Sequence, residues 1–167
     1  MRIRLRALLQ NARIDLQIDI GFGDCVSPNA TMAEFPPLLD APAPRLRVYP
    51  KETAFAEKLQ TIVARGLANS RLKDYLDLWM LSRSGIGEES LAKAIQATFA
   101  HRGTAVPRDV PPGLSPAYAQ NPDRVKQWAA LLRRVNAAAC PSSLEAVLTD
   151  LALYVMPVFA RLGAEQT

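Results

Sequence analysis

Three groups of side chains in this sequence have types and spacings that could do chemistry. Asp15 and Asp19 stand four residues apart in an alternating apolar/polar stretch. On a strand both carboxylates face the same side, roughly 13 Å apart at about 3.3 Å per residue, too far to share one metal ion. Asp19 is the stronger candidate of the two. It ends the stretch beside Gly21 and Gly23, where backbone can approach a ligand. A solvated carboxylate before a glycine turn accounts for it equally well. Lys51 and Lys58, seven apart, are nearly eclipsed on a helix and lie at the margin of an apolar arc beside Phe55 and Ile62. Long amines snorkel along such surfaces, and they also serve as point charges aimed into a cleft to hold phosphate. The third group is Lys73, Asp74 and Asp77, the charged arc of a segment otherwise covered by Leu72, Tyr75, Leu76, Leu78, Trp79, Met80 and Leu81. Lys73 and Asp77 pair at i,i+4 in the weaker orientation, and the two aspartates face each other as like charges at i,i+3. Charges on a largely buried helix need partners. A structural ion-pair network or a ligand site would supply them.

Other motifs carry less. Gly21-x-Gly23 lacks the third glycine and following helix of a dinucleotide fingerprint, and no phosphate-loop motif is present. His101 has no Asp, Ser or Cys at an interpretable spacing and reads as a surface or helix-end residue.

The elements that must position these groups change character at Pro50. Before it, Ile3 and Leu5 alternate with Arg2, Arg4 and Arg6, and Ile14, Leu16, Ile18 and Ile20 alternate with Asp15, Gln17 and Asp19 around a Gln10-Asn11-Ala12 turn. This pattern predicts a β-hairpin with one buried face. The proline-rich stretch 27–44 reads as an extended connection, and residues 46–49 as a short strand returning to the sheet. After Pro50 the period is helical, over about 51–65, 70–82, 88–100, 121–137 and 142–160, with Asn69-Ser70 and Pro141-Ser142-Ser143 as helix starts. In the first helix Phe55, Leu59, Ile62 and Val63 form the apolar arc, opposite Thr53, Glu57 and Gln60. Trp128, Leu131, Leu132 and Val135 have core spacing, as do Leu144, Val147, Leu148, Leu151, Val155 and Val158.

The 167 residues are 49% hydrophobic and 22% charged, which fits one globular core and excludes disordered or fibrous classes. Twenty Lys+Arg against 16 Asp+Glu leave a charge of +4, compatible with a polyanionic ligand without requiring one. Cys25 and Cys140 lie far apart, with no metal-ligand spacing, and read as free thiols of a reducing cytosol. No signal-peptide apolar region follows the N-terminal arginines, and no segment is expected to span a bilayer. The fold class expected is α+β: a small antiparallel sheet with its connection over 1–50, then a helical region over 51–167. So few strands cannot cover one face of such a helical layer, so either another segment completes the sheet or the helices form the core.

Three segments, Asn11-Ala-Arg-Ile-Asp-Leu-Gln-Ile-Asp-Ile-Gly-Phe-Gly-Asp24, Tyr49-Pro-Lys-Glu-Thr-Ala-Phe-Ala-Glu-Lys-Leu59 and Asn69-Ser-Arg-Leu-Lys-Asp-Tyr-Leu-Asp77, resemble in order and spacing the AbiEii/AbiGii-type toxin family of nucleotidyltransferases. The likeness continues through Ala94-Ile-Gln-Ala-Thr-Phe99. It implies a nucleotidyltransferase fold with a helical C-terminal region, acting as the toxin of a toxin-antitoxin or abortive-infection pair. By the same resemblance Asp19 corresponds to the third carboxylate of the metal site, and Lys58 with Lys51 to the nucleotide-phosphate lysines. Ser70, Lys73, Asp74 and Asp77 correspond to the last motif lining the same cleft, with Asp74 joining Asp19 and Lys58 in catalysis. Mg²⁺ and a nucleoside triphosphate are the implied cofactors of intact members. The implied partners are a cognate antitoxin and tRNA or another RNA acceptor, in the cytoplasm and with no membrane. The family's first motif, a Gly-Ser turn followed by Asp-x-Asp, has no counterpart here. The chain therefore resembles the C-terminal portion of a longer toxin and is expected to be inactive alone. A different reading is a non-catalytic protein that binds an antitoxin or an N-terminal half through an open sheet edge, and a third is RNA binding by the Arg2/Arg4/Arg6 face.

Overall fold

A computed structural model of the chain describes residues 1–37, 39–135, 137 and 139–164. It is an α+β protein with two small antiparallel sheets followed by a helical layer. Strands β1 (Arg2–Leu9) and β2 (Ala12–Asp19) form the hairpin, in the register Ile3↔Ile18, Leu5↔Leu16 and Arg6↔Asp15. Gln10, at φ 52°, makes the tight turn. The alternation places Ile3, Leu5, Ile14, Leu16 and Ile18 on one face, as expected, yet that face is open: these residues are 38–48% exposed. Among the described residues this sheet has two strands, so the alternation sorts side chains by face but does not supply a layer to bury them.

Strand β4 (Arg45–Val48) does not return to the hairpin. It pairs with β3 (Thr31–Glu34), a strand formed inside the stretch expected to be irregular, with Ala33 opposite Leu46 and Thr31 opposite Val48. Four-residue strands between prolines leave little periodic signal, and their pairing is decided by the chain's return. Ser27 ties the connection to the helices: its N–H donates to Thr53 Oγ1 at 3.1 Å, and its carbonyl accepts from the same hydroxyl at 2.6 Å.

The helices are α1 (Lys51–Arg65), α2 (Leu72–Ser82), α3 (Glu88–His101), the short α4 (Pro116–Ala119), α5 (Pro122–Val135) and α6 (Leu144–Ala164). Residue 136 of the helix expected to reach 137, and residues 165–167, lie outside the described residues. The apolar arc of α1 is buried as expected at Phe55, Leu59 and Ile62, but Thr53 and Gln60 on the other side are buried too. Their partners come from elsewhere in the chain: Ser27 for Thr53, and Thr104 and Arg102 for Gln60. On α2, Met80 is exposed, as is Val135 at the end of α5, so both leave the expected core. Ser143 starts α6 as anticipated, its Oγ accepting from Ala146 N–H at 3.3 Å. For α2 the cap differs: Arg71 occupies that position without a side-chain cap, and Asn69 Oδ1 accepts Arg71 N–H at 3.3 Å.

With 21 residues and a mean hydropathy of 1.4, α6 is long and apolar enough to cross a membrane, contrary to the expectation that no segment is. Its residues Val147, Leu148, Leu151, Val155, Val158, Phe159 and Leu162 are all buried in the helical core.

Candidate functional site

Helix α1 brings Lys58 to the first turns of α2. The register of α1 sends Phe55, Leu59 and Ile62 inward and leaves Lys58 half-buried at the seam. The start of α2 is fixed by a buried polar cluster. Asn69 Nδ2 donates to the Tyr75 hydroxyl at 3.2 Å, Tyr75 donates to the Gly113 carbonyl at 3.0 Å, and Tyr118 donates to the Asn69 carbonyl at 2.7 Å. Gly113 permits this approach: a Cβ there would stand 2.7 Å from Ile62 Cγ2 and 2.8 Å from the Ile62 carbonyl oxygen.

At the seam five charges alternate. Arg71 Nε lies 2.8 Å from Asp74 Oδ2, Lys58 Nζ lies 3.1 Å from Asp74 Oδ1 and 2.8 Å from Asp77 Oδ2, and Lys73 Nζ lies 2.9 Å from the same Asp77 oxygen. The like-charged aspartates are thus separated by a lysine from another helix, which local spacing on α2 cannot supply. The Asp74 side chain is 5% exposed, whereas Arg71 and Lys73 are 56% and 66% exposed. The interior of the chain is therefore fixed and its two cationic ends are free to reorient. Burial works against the charge on Lys58, but the hydrogen bonds to Asp77 and Asp74 outweigh it and raise its pKa above the ordinary lysine value. Burial likewise opposes charge on Asp77, and the bonds from Lys58 and Lys73 outweigh it, holding its carboxyl below the usual range.

A groove opens over this chain of charges. Its wall includes Ser70, Arg71, Lys73, Asp74, Asp77 and Lys58, with Gln127 and Arg134 opposite on α5. A second hollow lies on the other side of Lys58, beside Tyr49, Glu57 and Arg102. There Tyr49 donates to Glu57 Oε1 at 2.7 Å, and Arg102 lies 3.3 Å from the same oxygen. Burial, then the Glu57 hydrogen bond, push the Tyr49 phenol far above its ordinary pKa.

The structure thus brings together Lys58, Ser70, Lys73, Asp74 and Asp77. It places the other two candidates elsewhere. Lys51 Nζ donates to the Ser84 carbonyl at 2.6 Å, just beyond the C-terminal end of α2, where a cation complements the helix carbonyls. Asp19 sits on the exposed hairpin, its carboxylate 2.6 Å from Arg2 Nε and 2.9 Å from Gln17 Nε2; these bonds, Arg2's first, lower its pKa. Arg6 is held by Asp15 in the same way, so two of the three β1 arginines are neutralised. His101 ends α3 in solvent. Sequence reasoning missed Arg71, Arg102 and Arg134. Arg71 carries a readable signal, three residues before Asp74, whereas Arg102 and Arg134 reach the site only through packing.

Among the described residues no group of three or more His, Cys, Asp or Glu side chains could hold a metal ion. The carboxylates nearest that role are each engaged by cations: Asp19 by Arg2, Asp74 by Lys58 and Arg71, Asp77 by Lys58 and Lys73. This donor set does not fit a divalent metal centre.

Fold and site together define an α+β protein with a hairpin, a helical layer and an ionic groove where two helices meet. The chain belongs to the family described as Nucleotidyl transferase AbiEii toxin, Type IV TA system, whose model matches residues 1–150. Membership gives it a nucleotidyltransferase-like role in a type IV toxin-antitoxin system, and such a system implies a cognate antitoxin. Neither the curated proteins nor the solved structures yield a match.

Proposed function

We propose that the groove over Lys58, Asp74 and Asp77 binds the phosphates of a nucleoside triphosphate for this nucleotidyltransferase-like toxin. The observation that carries this reading is the asymmetry of the charge chain: anions fixed inside, exposed cations Arg71 and Lys73 at its ends, and Arg134 across the groove. Phosphate oxygens accept charge-assisted hydrogen bonds from such cations, and the Ser70 hydroxyl adds a neutral donor at the rim. Lys58, neutralised on both sides, supports the electrostatics of the floor and keeps Asp74 and Asp77 from repelling an incoming anion. Lys51, bonded to the Ser84 carbonyl, and Asp19, bonded to Arg2, do not line this groove.

In the family's chemistry an acceptor hydroxyl, of tRNA or another RNA in the cytoplasm, loses its proton and attacks the α-phosphate of the nucleotide, breaking the bond to the β-phosphate and releasing pyrophosphate. The metal such chemistry calls for has no centre in this donor set. On this reading the 167 residues bind nucleotide without transferring it, because they carry no Asp-x-Asp pair of carboxylates. Titration calorimetry with ATP and with GTP, each with and without Mg²⁺, tests the binding. Affinity that falls about tenfold in Arg71→Ala and Lys73→Ala is expected, one such contact corresponding to about 1.4 kcal/mol. Absence of binding at millimolar nucleotide, or binding indifferent to both substitutions, overturns the reading.

The second reading, a protein that works by binding its antitoxin or an N-terminal half, is favoured by a different observation: the open apolar face of the hairpin. Co-purification with the antitoxin that is lost on Leu5→Lys and Leu16→Lys, with nucleotide binding absent, would support it over the first.

A further inference from the structure

Among the described residues neither edge of the hairpin pairs with a further strand, and the two edges differ in charge pattern. Met1 and Ile20 exchange both hydrogen bonds, at 2.7 and 2.8 Å, which makes them a hydrogen-bonded pair. By the alternation of an antiparallel ladder the bonded pairs continue through Ile3/Ile18, Leu5/Leu16, Ala7/Ile14 and Leu9/Ala12. The intervening residues therefore point their N–H and C=O groups outward. On the β1 edge these are Arg2, Arg4, Arg6 and Leu8; on the β2 edge they are Arg13, Asp15, Gln17 and Asp19.

We infer that β2 pairs with β2 of a second copy, edge to edge and antiparallel about a two-fold axis, to give a four-stranded sheet. In the register with fullest overlap Leu16 faces Leu16 of the second copy. Arg13 then faces Asp19, Asp15 faces Gln17, and Ile14 faces Ile18, each pair occurring twice. The outward groups of 13, 15, 17 and 19 make the new ladder, and all apolar side chains fall on one face. Charge selects this register over its neighbours. Sliding by two residues one way sets Asp15 against Asp15, and sliding the other way sets Asp15 against Asp19, like charges directly opposite. Arg13 itself supports the pairing. It stands opposite Leu8 in its own hairpin and, among the described residues, has no carboxylate partner. Asp19, bound to Arg2 and Gln17, retains capacity to accept a further bond. The β1 edge cannot do the same, since full overlap there sets Arg4 against Arg6. Assembly therefore closes at two copies instead of extending into a filament. This inference is independent of the nucleotide reading.

The test is the full chain in a Cys25→Ser background, Cys140 being buried. Leu16→Cys is expected to form an intermolecular disulfide under mild oxidation, because facing residues of a non-bonded antiparallel pair lie about 4.5 Å apart at Cα, within disulfide reach. Ile14→Cys alone is expected not to, whereas a mixture of Ile14→Cys and Ile18→Cys chains cross-links. By sedimentation equilibrium the dimer dissociation constant is expected to rise about tenfold in Arg13→Asp and to recover in Arg2→Asp/Arg13→Asp/Asp19→Arg, in which residues 2 and 19 stay oppositely charged across the hairpin. Circular dichroism checks that the helices persist in each variant. A monomer at about 100 μM, or cross-linking of Leu16→Cys no greater than that of Ile14→Cys, overturns the inference.

Discussion

Lys58 Nζ on α1 lies 3.1 Å from Asp74 Oδ1 on α2, and the same ammonium reaches Asp77 at 2.8 Å. One lysine thereby joins two helices and relieves the repulsion between two aspartates one turn apart. It does so where Asp74 is almost wholly buried, so the contact bears on stability as well as on the groove.

Removing Lys58 should cost less than breaking an isolated buried pair, because Asp74 keeps Arg71 and Asp77 keeps Lys73. For Lys58→Ala we expect a loss of about 1–3 kcal/mol, that of leaving buried acceptors under-satisfied. Lys73→Ala, at an exposed end, should stay within about 0.5 kcal/mol. Urea unfolding of both variants measures the difference, and equal losses would contradict the inside-fixed, ends-free arrangement.

The pH dependence follows from the two shifted groups. The raised pKa of Lys58 gives stability fully present below about 10.4, the unfolded lysine value, and lost as pH rises through the higher folded value. The lowered pKa of Asp77 gives stability present above about 3.9 and lost as pH falls through the lower folded value. The melting temperature contributed by this network should therefore be flat at neutral pH and fall at both extremes. Asp77→Asn should flatten the acid limb, as thermal melts from pH 2 to 7 would show.

Asn69 should control the order of the groove without touching a ligand. Its buried amide holds the Tyr75 hydroxyl and the N–H of Arg71. Asn69→Ala should cost about 1–3 kcal/mol and speed amide exchange at residues 70–74. Exchange unchanged in that segment would show that the tyrosines alone position it.

The chain alone should leave labelled nucleoside triphosphate unattached when incubated with Mg²⁺ and total tRNA. Two-metal transfer needs more carboxylates than Asp19 provides. Transfer that is abolished by Asp19→Ala, with contaminating enzyme excluded, would contradict this.

The sequence by itself determined what depends on period and on neighbours within one element. Alternation drew the hairpin and assigned its faces; the 3.6 period drew α1 with the bounds observed; and the poor local pairing of Lys73, Asp74 and Asp77 marked them as needing outside partners. The matched residues carried the family. Tertiary structure alone decided which partner arrived. Lys58 and Lys51 are equivalent on the helical wheel, yet packing of α1 against α2 delivers Lys58 to Asp74 and Asp77, and Lys51 to the Ser84 carbonyl one helix-length away. Thr53 and Gln60 look solvated on the same wheel and are buried, because Ser27 and Thr104 return from distant parts of the chain to bond them. The hairpin's apolar face looks buried and is open, because alternation encodes a face to be covered but not the layer that covers it.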